Sequence, residues 1–98
     1  MENKDEELVQ GYTSAEAKKN VLNRLSRLAG QINGVSRMLE NDRSCDEVLV
    51  QLSAIDKSIK AVVSILLENQ VYNVAVPAAK KGNMSTLSEA LELYKRFF

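Results

Sequence analysis

The chain has 98 residues, 45% hydrophobic and 27% charged, a balance that fits one small, ordered, helix-rich domain rather than a disordered or collagen-like chain. Its 13 Lys plus Arg offset 13 Asp plus Glu, so neither a strongly basic polyanion binder nor an acidic mimic of nucleic acid is in view. With no His and a single Cys, it has no His-dependent catalytic triad, none of the usual zinc ligand sets and no internal disulfide.

Residues 1–12, MENKDEELVQGY, set Lys4 against Glu2, Asp5, Glu6 and Glu7 and read as a mobile acidic tail. They lack the apolar stretch of a secretion signal, and no apolar run in the chain approaches the roughly 20 residues that cross a bilayer. Together with the lone thiol, this predicts a cytoplasmic chain with no membrane association. Residues 13–98 are expected to form a single helical domain.

Thr13-Ser14-Ala15-Glu16 fits a capping box, with Thr13 as the cap and Glu16 as its reciprocal partner. Beyond it Val21, Leu25, Leu28, Ile32, Val35 and Leu39 recur at spacings of 4, 3, 4, 3, 4, a helical seam that ends at Asn41 and Asp42. Gly30 and Gly34 lie inside that helix and mark either close packing of a neighbour or a flexible point. Ser44-Cys45-Asp46-Glu47 is a second capping box, followed by Val48, Leu52, Ile55, Ile59, Val62 and Leu66 at the same spacing. A further row, Leu49, Val63, Leu67, Val71 and Val74, widens the apolar face.

Helix 2 is expected to run to Pro77, about 30 residues and about 45 Å. A turn over Pro77–Asn83 then precedes a short third helix from about Ser85 to Phe97, with Leu87, Leu91 and Tyr94 on its apolar face. A rod of that length with two apolar rows exceeds what a compact protomer of this size covers, since its radius of gyration would be about 13 Å. The fold class is therefore all-α, with two long antiparallel helices and a short C-terminal one. Two such hairpins pair as a four-helix bundle, and bundles can stack in pairs. The alternative is a break near Asn69-Gln70 that gives a small monomeric bundle.

Asn20, Arg24, Arg27 and Gln31 share one face of helix 1, and Lys18 and Lys19 precede them. Helix 1 carries Lys18, Lys19, Arg24, Arg27 and Arg37 against Glu16 and Glu40, a local charge of +3. On helix 2, Ser53, Lys57, Lys60 and Ser64 form a similar polar-basic row. Cations mixed with amide and hydroxyl donors suit phosphate contacts, although rows of this kind also serve as plain solvated faces. Cys45 falls in the first turn of helix 2, where the positive end of the helix dipole favours a thiolate and Asp46 and Glu47 oppose it; a small buried apolar role is the other reading. Acid–base catalysis would rest on carboxylates alone, none in an evident pair, so no enzyme and no cofactor are expected.

The stretch Arg24-Leu25-Ser26-Arg27-Leu28-Ala29-Gly30-Gln31-Ile32-Asn33-Gly34-Val35, followed by Arg37-Met38-Leu39, resembles helix 1 of the CsoR/RcnR family of small bacterial repressors. Cys45 with Val48-Leu49-Val50-Gln51-Leu52-Ser53-Ala54 is similar to the same family's helix 2, and the likeness runs from about Lys18 to Phe97. It implies a three-helix protomer, a disc-shaped tetramer of two four-helix-bundle dimers, and repression through double-stranded operator DNA that is released when a ligand occupies a site between protomers. Arg24 and Arg27 match the family's DNA-binding basic residues.

The sensory site departs from the pattern. Cys45 matches the first copper ligand of the copper-sensing branch, but the positions of its His and second Cys hold Gln70 and Val74, and that of its helix 3 Glu holds Ala90. The resemblance therefore implies no metal site of the usual kind, and a Cys45 sensor for an aldehyde, another electrophile, a sulfur species or an oxidant. The acidic tail interferes with pairing Cys45 with the chain's amino group, as formaldehyde-responsive relatives do, and persulfide-responsive relatives use a second Cys. A non-standard metal site, a decayed sensor, and a helical protein-interaction module without DNA binding are the alternatives.

Overall fold

A computed structural model describes residues 13–97, and the tail expected at 1–12 lies outside the described residues. The elements are α1 (Ala15–Glu40), α2 (Cys45–Gln70), a π-helical segment (Val71–Ala75), α3 (Val76–Lys81) and α4 (Met84–Lys95), with no strand among the described residues. The all-α protomer expected from the seams is what forms. The described residues divide into two compact units: the hairpin Lys19–Ser64, and residues 13–18 together with 65–97.

The hairpin is closed by local hydrogen bonding between α1 and α2. Arg43 N–H donates to the Met38 carbonyl at 2.9 Å and Asp42 N–H to that of Leu39 at 3.1 Å, with Asp42 at φ 54°. This pair of bonds is the Schellman stop, here with an aspartate where glycine is usual. The second capping box forms as expected: Glu47 N–H donates to Ser44 Oγ at 3.3 Å, and Ser44 N–H donates back to Glu47 Oε1 at 3.4 Å.

In the hairpin, Val21, Leu28 and Val35 of α1 and Val48, Ile55 and Val62 of α2 are buried. Each set advances by seven, and a step up α1 is matched by a step down α2, as an antiparallel pair requires. The other half of each seam is not covered. Leu25 is 45% exposed, Ile32 50%, Leu39 60%, Leu52 43% and Ile59 46%. The apolar rows are thus two stripes, only one of which the chain fills by itself. A Cβ built on Gly30 or Gly34 meets nothing within 4 Å, so no neighbour in the described chain requires either glycine.

In the C-terminal unit several expectations are corrected, the first two at the cap of α1 and at Pro77. The cap of α1 is Ser14 rather than Thr13, since Ala17 N–H donates to Ser14 Oγ at 3.2 Å. The reciprocal partner is not Glu16: Ser14 N–H donates to Asn69 Oδ1 at 3.1 Å, and Asn73 Nδ2 donates to the same oxygen at 2.9 Å. The second correction concerns Pro77, which does not end the rod. Gln70 (φ −63°, ψ −40°) and Val76 (φ −64°, ψ −49°) keep right-handed helical backbone on either side of the π-helical segment. A proline ring collides with the carbonyl four residues back in a regular α-helix, and the wider π turn just before it relieves that collision. The alternative break at Asn69-Gln70 does not occur: α2 runs through both residues and the helix widens just beyond them.

The rod ends at Gly82 (φ 73°), with Asn83 N–H donating to the Ala78 carbonyl at 2.8 Å, a second Schellman stop. The turn is accordingly shorter than the expected Pro77–Asn83. Asn83 then caps α4 through Thr86 N–H to Asn83 Oδ1 at 3.1 Å. The inward face of α4 matches the expected one only at Leu87: Ala90 is buried and Leu87 and Leu93 are half-buried, whereas Leu91 is 51% and Tyr94 40% exposed. Leu67, Val74 and Ala78 are the other buried residues of this unit.

Candidate nucleic-acid interface and sensory positions

Arg24, Arg27 and Gln31 follow one another by three and four residues on α1, so they stand on one face beside buried Leu28. Arg24 is half-buried, and its Nε donates to Asn20 Oδ1 at 2.9 Å, which holds the guanidinium in place one turn from Arg27. Arg27 and Gln31 are exposed. Together with Ser58 of α2, these three side chains and Leu28 line a notch of about 90 Å³ within the hairpin unit.

Three cations elsewhere are paired with carboxylates. The Arg43 guanidinium pairs with Glu47, Lys60 Nζ lies 3.1 Å from Asp56, and Lys95 Nζ 3.9 Å from Glu92. No carboxylate among the described residues pairs with Arg24 or Arg27. The hydrogen bond from Arg43 is the leading cause that holds the Glu47 carboxyl below its ordinary range, aided by Ser44, and the same contact raises Arg43.

The remaining residues singled out on basic rows are dispersed. Lys18, Lys19 and Lys57 are exposed, and Lys60 is exposed in its pair with Asp56. The notch brings in Ser58 instead, which the reading of polar rows missed. The signal was there: Ser58 lies three residues past Ile55 and four before Val62, both buried, so it flanks the seam.

Cys45 is the first residue of α2, and its thiol is free and exposed. Within the single chain, then, nothing buries it. Gln70, Val74 and Ala90, the positions at which the sequence departs from the copper-sensing pattern, do converge: with Thr86, Glu89 and Leu93 they line a cavity of about 460 Å³ in the C-terminal unit. Its donors are an amide, a hydroxyl and one carboxylate, a set that does not fit a soft copper(I) ion. Among the described residues no group of three or more His, Cys, Asp or Glu is placed to hold a metal. No helix among the described residues is long and apolar enough to cross a membrane.

Comparison with known proteins places this geometry. The chain is 37% identical over 98 residues to the copper-sensing transcriptional repressor CsoR of Bacillus subtilis strain 168, covering 99% of this chain and 97% of that protein. The crystal structure of the copper-sensing repressor CsoR with Cu(I) from Geobacillus thermodenitrificans NG80-2 superposes with a TM-score of 0.78 at 33% identity, over 88% of this chain and 91% of that one. The nickel-responsive transcriptional regulator InrS superposes with a TM-score of 0.73 at 34% identity, over 82% of this chain and 91% of that one. Residues 17–96 match the profile of the metal-sensitive transcriptional repressor family, and with the shared hairpin and C-terminal helices the chain belongs to that family of repressors, not to a family of enzymes.

Proposed function

We propose that this repressor binds double-stranded operator DNA as a cytoplasmic homo-oligomer, two hairpins closing a four-helix bundle and two bundles forming a disc-shaped tetramer. Arg24, Arg27 and Gln31 meet the phosphates, with Lys18, Lys19, Lys57 and Lys60 adding to the basic surface. The observation that carries the reading is that Arg24 and Arg27 stand together with no carboxylate pairing them among the described residues, beside an amide and a hydroxyl. Assembly is supported by the unfilled stripe of Leu25, Ile32, Leu39, Leu52 and Ile59, a surface too apolar to stay in water when a second hairpin offers the same stripe.

The inducer is read as something other than copper, since an amide and hydrocarbon side chains stand at the expected ligand positions. Cys45, exposed at a helix start, is the candidate switch: an electrophile, aldehyde, sulfur species or oxidant that modifies it perturbs the site between subunits and releases DNA. The test is a gel-shift titration of the full chain against the duplex immediately upstream of its own coding sequence. The expected result is a shift whose affinity falls steeply with salt and is lost in Arg24→Glu. Absence of a shift at low salt favours the rival, a module that takes a helical protein partner on its open stripe.

A further inference from the structure

The notch in the hairpin differs in kind from the basic rows around it. Every polar side chain that lines it can donate a hydrogen bond: the guanidinium groups of Arg24 and Arg27, the amide of Gln31 and the hydroxyl of Ser58. No carboxylate lines it; Asp56, two residues from Ser58, is turned to Lys60 at 3.1 Å. Arg24 is steadied through its Nε by Asn20, which leaves the outer guanidinium nitrogens for another acceptor. Arg27, Gln31 and Ser58 have no side-chain partner among the described residues, although Ser58 is half-buried. The notch is small, about 90 Å³, and takes a compact group rather than an extended one.

We propose that this notch seats a single phosphate group, with Ser58 as a donor that α2 contributes to a face otherwise carried by α1. The proposal rests on the DNA-binding reading for the source of that phosphate, the duplex backbone, and a free phosphate offers the same chemistry. A seat built from both helices ties phosphate recognition to the hairpin's register, since sliding α1 along α2 would part Ser58 from the arginines. It also assigns unequal work to the cations: Arg24 and Arg27 grip one phosphate, while Lys57 and Lys60 add only long-range attraction.

The experiment compares full-length wild type, Ser58→Ala and Ser58→Asp for binding to the upstream duplex across a salt series and to inorganic phosphate by calorimetry. Circular dichroism confirms that each is helical. Ser58→Ala is expected to weaken duplex binding about tenfold, the loss of one hydrogen bond to a charged acceptor. The slope of log affinity against log salt should stay unchanged, because the hydroxyl carries no charge; in Arg24→Gln that slope should fall by about one. Ser58→Asp places an anion in the notch and is expected to abolish binding; if it fails to fold, Ser58→Ala still decides.

Replacing single duplex phosphates by methylphosphonates should reveal one position at which wild type and Ser58→Ala bind alike. That position, without competition from millimolar inorganic phosphate, assigns the seat to the DNA backbone. Competition that Ser58→Ala weakens assigns it to phosphate in general. If wild type binds the duplex and folded Ser58→Ala binds equally well, the seat is overturned and the repressor reading stands. If wild type ignores the duplex but binds phosphate in a Ser58-dependent way, the seat stands and the DNA reading falls. If it binds neither, both fall.

Discussion

Cys45 and its neighbours show how little separates a structural residue from a reactive one. Ser44 and Glu47 cap the helix around it through hydrogen bonds of 3.3 and 3.4 Å, so the backbone at Cys45 is fixed while the thiol itself stays exposed. Modification there adds bulk at a rigid point. Alkylating Cys45 is therefore expected to weaken operator binding of the wild type, and Cys45→Ser to bind DNA normally and lose the response. A Cys45→Ser variant that still lets go with the same inducer removes Cys45 as the sensor. The residue types of this region were legible in the sequence, because a capping box needs only neighbours three positions apart. Ser58 was not, because its value depends on which residues of α1 lie across the seam, a property of register that one helix's pattern does not contain.

At the scale of elements, the sequence located both long helices and the place where helix 2 changes character, but not the form of the change. Proline predicts a stop because in a regular helix it removes a donor and strikes the preceding turn. The π-helical segment Val71–Ala75 lets the rod pass through it, and composition alone carries no sign of that wider turn. Local pattern places the start of α1 one residue early for a related reason: Asn69, 55 positions from Ser14, supplies the bond that the local box assigns to Glu16. The stop of α1 leaves a stability reserve. Asp42 adopts a left-handed conformation at φ 54° with its side chain exposed. Asp42→Gly is expected to stabilise the hairpin by about 0.5 to 1 kcal/mol, read as a rise of several degrees in the melting temperature.

For the molecule as a whole, the seams announced an apolar face too large for one chain, and the burial pattern divides it cleanly into an inner stripe and an open one. No large side chain among the described residues is completely sealed from solvent. Ile32, 50% exposed, lies midway along the open stripe of α1. Ile32→Asp should leave the hairpin's own layers intact and split the assembly into single chains at micromolar concentration, as sedimentation would register, with loss of DNA binding in parallel. A variant that keeps its oligomeric state would show that subunits join elsewhere. The half-filled seam also makes dosage part of regulation. Where the competent species is a multiple of the subunit, its abundance rises as a power of the amount made, so dilution by cell growth clears the promoter faster than it clears the protein, and a titration of occupancy against total subunit should be steeper than linear.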